Sequence, residues 1–229
     1  MRFQDAAPDA RAIVYAGIQA DPLVARAAAV LADATYEQRV LARAVMNGES
    51  TDDAAWRTMF PSLFGSPGAA ADPATRERSE GILAASLAVA ERGEQARSQY
   101  RGAIVEALTE TLLRRRHAGV PPSAIRRERR VLFDGVRAEI HPYDVTVEID
   151  GRAAAFDCKW GARGISADVL HQLDDARTHA ADDDERLDVA LVVFDSARSC
   201  SARLDRETAP HESIRVIGLE ELDTLASGR

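Results

Sequence analysis

The segment from Tyr143 to Trp160 constrains this chain more than any other. YDVTVEI and RAAAFDCKW both alternate in the manner of strands, and Asp150-Gly151 stands between them. Asp-Gly between alternating runs is the strongest short-range hairpin signal, because both positions of the favoured two-residue turn need positive φ. Such a turn pairs Ile149 with Arg152, and the rest of the register follows, with Asp144 directly opposite Asp157. Side chains alternate along a strand. Asp144, Thr146 and Glu148 therefore share a face with Ala153, Ala155, Asp157 and Lys159. Val145, Val147, Ile149, Ala154, Phe156, Cys158 and Trp160 take the other face, which reads as core. The first face reads as polar, with room left by its alanines.

Two carboxylates opposed across a β-pair have Cβ atoms about 5 Å apart and repel, which is destabilising unless a cation sits between them. A hard divalent ion such as Mg²⁺ or Mn²⁺ takes one or two carboxylates together with water and phosphate oxygens. Lys159, two residues beyond Asp157, is the only lysine in 229 residues, against 28 arginines. A compact ammonium differs from a planar guanidinium in hydration and in how readily its pKa moves. At this position it could orient an attacking water or stabilise charge building on a phosphorane. The combination points to metal-dependent phosphodiester hydrolysis.

Around the hairpin the pattern is mixed α/β. Glu94 to His117 reads as a long amphipathic helix with Ile104, Val105, Leu108 and Leu112 on one face, stopped by Gly119 and Pro121-Pro122. Strands are expected over 129–133 and from Val136, with a turn at Asp134-Gly135. A helix capped by Ser166 should run to about Ala181. DVALVVF (188–194) has the near-continuous apolar character of a central strand buried on both faces. A strand over 214–218 and a helix over 219–226 close the chain. Residues 1–92, by contrast, are alanine-rich and helical in spacing: one segment from Asp21-Pro22 to Asn47-Gly48, a loop over 60–73, and a helix from about Pro73 to Ala90. The division expected is a helical N-terminal domain (1–92) before a mixed-sheet domain (93–229).

YDVTVEIDGRAAAFDCKWG resembles the PD-(D/E)xK nuclease superfamily, which has the restriction-endonuclease-like fold. Pro142-Tyr143-Asp144 supplies the first acid, with Tyr between the Pro and the Asp, and Asp157-Cys158-Lys159 supplies the second acid and the lysine. The family's helical Glu, often about four residues after a Gly, matches Glu106 in Gly102-Ala103-Ile104-Val105-Glu106, with Glu110 one turn on as the fallback. A Gln on the helix after the Lys matches Gln172. The resemblance covers about residues 93–226 and implies a restriction-endonuclease-like mixed β-sheet flanked by helices. It further implies that Asp144, Asp157 and Glu106 hold Mg²⁺ or Mn²⁺ with the backbone carbonyl of Cys158. Lys159 would position the water, and Gln172 would support the site. The activity implied is a deoxyribonuclease of bacterial restriction, defence or repair, with RNA remaining open as substrate. The alternative is a catalytically silent nucleic-acid-binding or assembly module of the same fold.

Composition bounds the rest. A net charge of −8 does not favour a nucleic-acid partner, but residues 93–140 carry ten arginines against six acids, whereas 141–229 carry ten basic residues against nineteen acids. Arg126-Arg127-Glu128-Arg129-Arg130 and Arg114-Arg115-Arg116 could meet a phosphate backbone or simply solubilise the surface. Two cysteines are too few for a disulfide framework, and the first residues meet charge at once, so a cytoplasmic chain with no membrane partner is expected. A homodimer or partner protein would use the helical half.

Overall fold

The computed structural model describes every residue except 7–9, 49, 66–70, 134–135, 138–140, 183, 210–211 and 229. The chain divides into two compact units, one of residues Arg11–Leu108 and one of Met1–Ala10 with Thr109–Arg229.

The helical unit is built from α1 (Ala10–Gln19), α2 (Pro22–Ala32), α3 (Tyr36–Asn47), α4 (Asp53–Met59), α5 (Pro61–Phe64), α6 (Pro73–Ala90) and the first part of α7 (Glu94–Arg116). Asp21-Pro22 and Asp72-Pro73 open α2 and α6 by the same device. The Asp side chain caps a free N–H, and Pro, which has none to lose, takes the first helical position. The single segment expected over 21–47 is two helices. Thr35 and Gln38 form a reciprocal capping box that starts α3 afresh. Leu23, Val24, Leu31, Leu41, Val45, Ile82, Leu83 and Val89 are buried in this unit.

The sheet unit contains β1 (Arg2–Asp5), the last part of α7, β2 (Ile125–Phe133), β3 (Val136–Arg137), β4 (Tyr143–Ile149), β5 (Arg152–Lys159), α8 (Ala167–Asp182), β6 (Leu187–Val193), α9 (Ala197–Leu204), β7 (Arg215–Ile217) and α10 (Thr224–Ser227). Its strands form one mixed sheet in the order β1-β2-β4-β5-β6-β7, with β3 paired to β2. The β1 to β5 pairings are antiparallel, whereas β5-β6 and β6-β7 are parallel. The fold is therefore a mixed α/β sheet flanked by helices.

Two further features depart from the sequence reading. β1 lies in a segment read as helical, and a single 23-residue α7 runs from one unit into the other. The units consequently divide at Ala10 and Leu108, while the change in composition falls at residue 93. The turn expected at Asp134-Gly135 lies outside the described residues. Among the described residues, no helix is long and apolar enough to cross a membrane. Cys158 and Cys200 are free thiols, both buried.

Candidate active site

The hairpin forms in the expected register. Ile149 pairs with Arg152, and the ladder runs to Val145 opposite Phe156. Asp150 and Gly151 have φ of 51° and 75°, the pair of left-handed residues that a two-residue turn of matching twist requires. Asp144 and Asp157 are the next residues on their strands. Regular pairing stops at that point, and the Cys158 N–H donates to Asp144 Oδ2 at 2.5 Å instead.

The expectation of one core face and one roomy polar face does not hold. β5 pairs with β4 on one side and with parallel β6 on the other, so it is an internal strand covered on both faces. On one face, Ala155 packs in a cluster with Leu170, Leu173 and Ala176 of α8 and Val189 and Leu191 of β6. On the other, Cys158 Sγ lies 3.5 Å from Thr109 Oγ1 on α7. Tyr143 joins the α8-side cluster, and its hydroxyl donates to the Gln172 carbonyl at 3.3 Å. Uninterrupted alternation would have put Tyr143 on the face opposite Ala155, so the strand's phase shifts at Asp144.

Asp157 is 7% exposed, and its Oδ2 is buried with no hydrogen bond of acceptable geometry. Lys159 Nζ stands 2.6 Å from that oxygen as an ion pair. Burial pulls the Lys159 ammonium toward neutrality, but the attraction of Asp157, then of Asp144, outweighs it and holds the pKa above the ordinary lysine value. The lysine stem is fixed from behind. A Cβ placed on Gly164 would come 3.0 Å from Lys159 Cβ and Cδ and 3.1 Å from Cγ. Replacing Gly164 with Ala should therefore cost about 1–3 kcal/mol through overpacking against a stem that cannot withdraw at its Cβ. Gly93→Ala, with nothing within 4 Å of the new methyl, serves as control in the same urea denaturation series. Equal midpoints for the two variants would show that the Gly164 contact is soft.

The loop that follows Lys159 is anchored by Asp195. Its Oδ2 accepts from the Ala162 N–H at 3.1 Å and its Oδ1 from the Ser196 N–H at 2.8 Å. The Phe194 N–H donates to the Lys159 carbonyl at 2.8 Å, and Trp160 stacks on Phe194 with ring centroids 4.8 Å apart. Lys159 is thus tied to the end of β6 on both sides of its backbone.

Glu106 is buried in the helical unit, where it accepts from the Tyr15 hydroxyl and, at 2.7 Å, from Gln19 Nε2. Gln172 is half-buried on α8, and its amide donates to the His141 carbonyl at 3.2 Å, bracing the chain just before Asp144. Glu110 accepts from Arg114 and pairs with Arg127 at 2.7 Å. The arginine cluster also engages internal acids: Arg126 pairs with Asp5 at 2.7 Å, and Arg129 pairs with Glu148 and, at 3.4 Å, with Asp5. These guanidiniums hold β1, β2 and β4 together as well as carrying positive charge.

The donor set suits a hard divalent cation. Asp144 and Asp157 are carboxylates that follow the last pair of the β4-β5 ladder, and the buried Asp157 Oδ2 is paired with the Lys159 ammonium. No protein-family model and no curated protein matches this sequence. Among solved structures, the chain is similar to protein VC1899 from Vibrio cholerae at 16% identity, with a TM-score of 0.49. The alignment covers 91% of this chain and 56% of that one, so the chain spans little more than half the length of the structure it matches.

The sequence reading passed over Glu128, which stands in β2 on the far side of Asp144 from β5. The β2-β4 ladder pairs Arg127 with Val145 and then Arg129 with Tyr143, which leaves Glu128 level with Asp144. A carboxylate oxygen of Glu128 lies within 4.8 Å of one of Asp144. A lone acid inside an arginine run was the available signal. No short turn joins β2 to β4, so the sequence could not supply their register.

Proposed function

We propose that the sheet unit is a divalent-metal-dependent phosphodiesterase acting on DNA, with a PD-(D/E)xK-type site. The observation that supports it most is the hairpin register, which brings Asp144 beside Asp157 while Lys159 meets a buried Asp157 oxygen. A bound Mg²⁺ or Mn²⁺ would supply Lewis-acid activation of water and of the scissile phosphate. Asp144 and Asp157 would hold the cation, and Lys159 would orient the water and offset charge at the phosphorus. Gln172 would act at a distance by fixing the approach to Asp144. The resemblance adds Glu106, whose oxygens also accept from Tyr15 and Gln19, and the Cys158 carbonyl as ligands. A bacterial restriction, defence or repair setting follows from the resemblance alone.

One observation favours a silent module of the same fold. Lys159 already neutralises Asp157, as it would in a purely structural ion pair. Incubation with circular and linear single- and double-stranded DNA, and with RNA, in Mg²⁺ or Mn²⁺ separates the two readings. Cleavage should occur, and Lys159→Ala, Asp144→Asn or EDTA should each reduce it at least 100-fold, in line with loss of a principal electrostatic contribution. Absence of metal-dependent cleavage on every substrate would favour the silent module. Cleavage of RNA alone would move the substrate assignment.

A further inference from the structure

We propose that the sheet unit binds a small organic phosphate of nucleotide type in a cavity at the hairpin end of β5, remote from Lys159.

The floor of the cavity follows from the sheet register, because residues paired across neighbouring strands share a face. Val147 pairs with Ala154, Ala154 with Asp188, Phe156 with Ala190, and Ala190 with Arg215. Ala155, Val189 and Leu191 alternate with these residues and pack in the α8 cluster on the other face. On the first face, the small side chains of Ala154 and Ala190 leave room, and a cavity of about 790 Å³ opens there. That volume lies within the range of roughly 300–1,000 Å³ usual for small-molecule sites. Val147, Ile149, Ala154, Phe156, Ala190 and Ile217 give it an apolar floor, and Leu113 of α7 and Leu225 of α10 also line it.

Charge decides the sign of the ligand. Arg116, Arg152, Arg177 and Arg215 line the cavity against two acids, Asp150 and Asp188. Asp188 is engaged by Arg186 at 3.0 Å. Arg177 pairs with Asp174 at 2.9 Å, and Arg215 donates to the Thr224 hydroxyl at 2.7 Å. The exposed Arg116 and Arg152 guanidiniums have no acidic partner among the described residues. Arg116 is seated against the chain at Gly228, where a Cβ would come 2.9 Å from its Nε and 3.0 Å from its Cζ. Beside it, burial and then the Arg116 charge hold the His117 imidazole below the ordinary histidine pKa, so this cavity residue is neutral at pH 7. Arginine's planar fork suits the oxygens of a phosphate, while Phe156 and its aliphatic neighbours suit a planar ring such as a base. Unpaired arginines above an apolar floor match a ligand with both parts better than a bare ion or an uncharged apolar molecule. At about 3.3 Å per residue, Lys159 lies about 23 Å along β5 from Arg152, so the two sites are separate.

Calorimetric titration of the full chain in EDTA tests this, with adenosine and thymidine 5′-monophosphates, adenosine and inorganic phosphate as probes. A nucleotide should bind at one site, at least tenfold more tightly than adenosine or phosphate. Arg152→Glu reverses an exposed charge, and Ala154→Leu fills the floor without touching the arginines. Each should lower nucleotide affinity at least tenfold, and thermal midpoints in EDTA check that both variants fold. Failure of both nucleotides to bind would overturn the proposal, as would affinities unchanged in the two variants. Inorganic phosphate binding as tightly as a nucleotide would overturn the role of the apolar floor. Because EDTA removes divalent ions, each of these failures leaves the metal-dependent reading of Asp144 and Asp157 standing.

Discussion

Lys159→Ala should destabilise the metal-free protein by about 3–5 kcal/mol, the usual loss when one partner of a buried ion pair is removed. Asp157 is 7% exposed in the wild type, and in the variant its Oδ2 loses the Lys159 ammonium. The lysine stem also leaves a gap beside Gly164, where its Cβ, Cγ and Cδ fit closely. What makes the variant informative is its response to metal. A divalent cation bound at Asp144 and Asp157 restores the missing positive charge. At a concentration 100 times its Kd it stabilises the folded state by about 2.7 kcal/mol. Urea denaturation in EDTA and in saturating Mg²⁺ should therefore show a large loss that is partly recovered. If the pair is only structural, the same loss appears and metal returns nothing.

The parts of this fold that were legible in the sequence are those governed by local chemistry. Asp150-Gly151 determined the turn, the turn determined the hairpin register, and the register brought Asp144 level with Asp157. The apolar run at 188–194 announced a strand buried on both faces, and Ser166 marked the start of α8. The parts that were not legible depend on partners distant in sequence. β1 has Phe3 as its only apolar residue, and it exists because it pairs with 129–132 of β2. Covering β5 on both faces required knowing that β6 pairs parallel to it. The break between α2 and α3, however, was readable: Thr35 and Gln38 are spaced for a capping box, but the apolar spacing across them was given more weight. Asp144, Asp157 and Lys159 all lie on one hairpin, where Lys159 pairs with Asp157. Glu128 needed the β2-β4 register, which no turn encodes.

Asp157→Asn breaks the same ion pair from its other side and should reverse the way stability depends on pH. In the wild type, burial lowers the Lys159 pKa, but Asp157 and then Asp144 raise it further, to a net position above the ordinary 10.5. A group raised on folding contributes stability that is fully present below its unfolded pKa and is lost as pH climbs through the folded one. Between about pH 6 and pH 9 this lysine therefore gives the wild type no slope. Without Asp157, burial, the largest of the influences, is opposed mainly by Asp144, and the expected result is a pKa lowered by burial. The ammonium is then disfavoured in the folded state, so the penalty is greatest at low pH and fades as pH rises toward the unfolded value. At pH 7 the loss should be about 3 kcal/mol, the low end for a broken buried pair, because the lysine side chain keeps 26% exposure. Urea midpoints of both proteins, taken at about pH 7 and about pH 9.5, should converge toward the alkaline end as Lys159 loses its proton. Parallel profiles would mean that Asp144 alone suffices to hold the ammonium charged, which would make it the dominant counter-charge at this site.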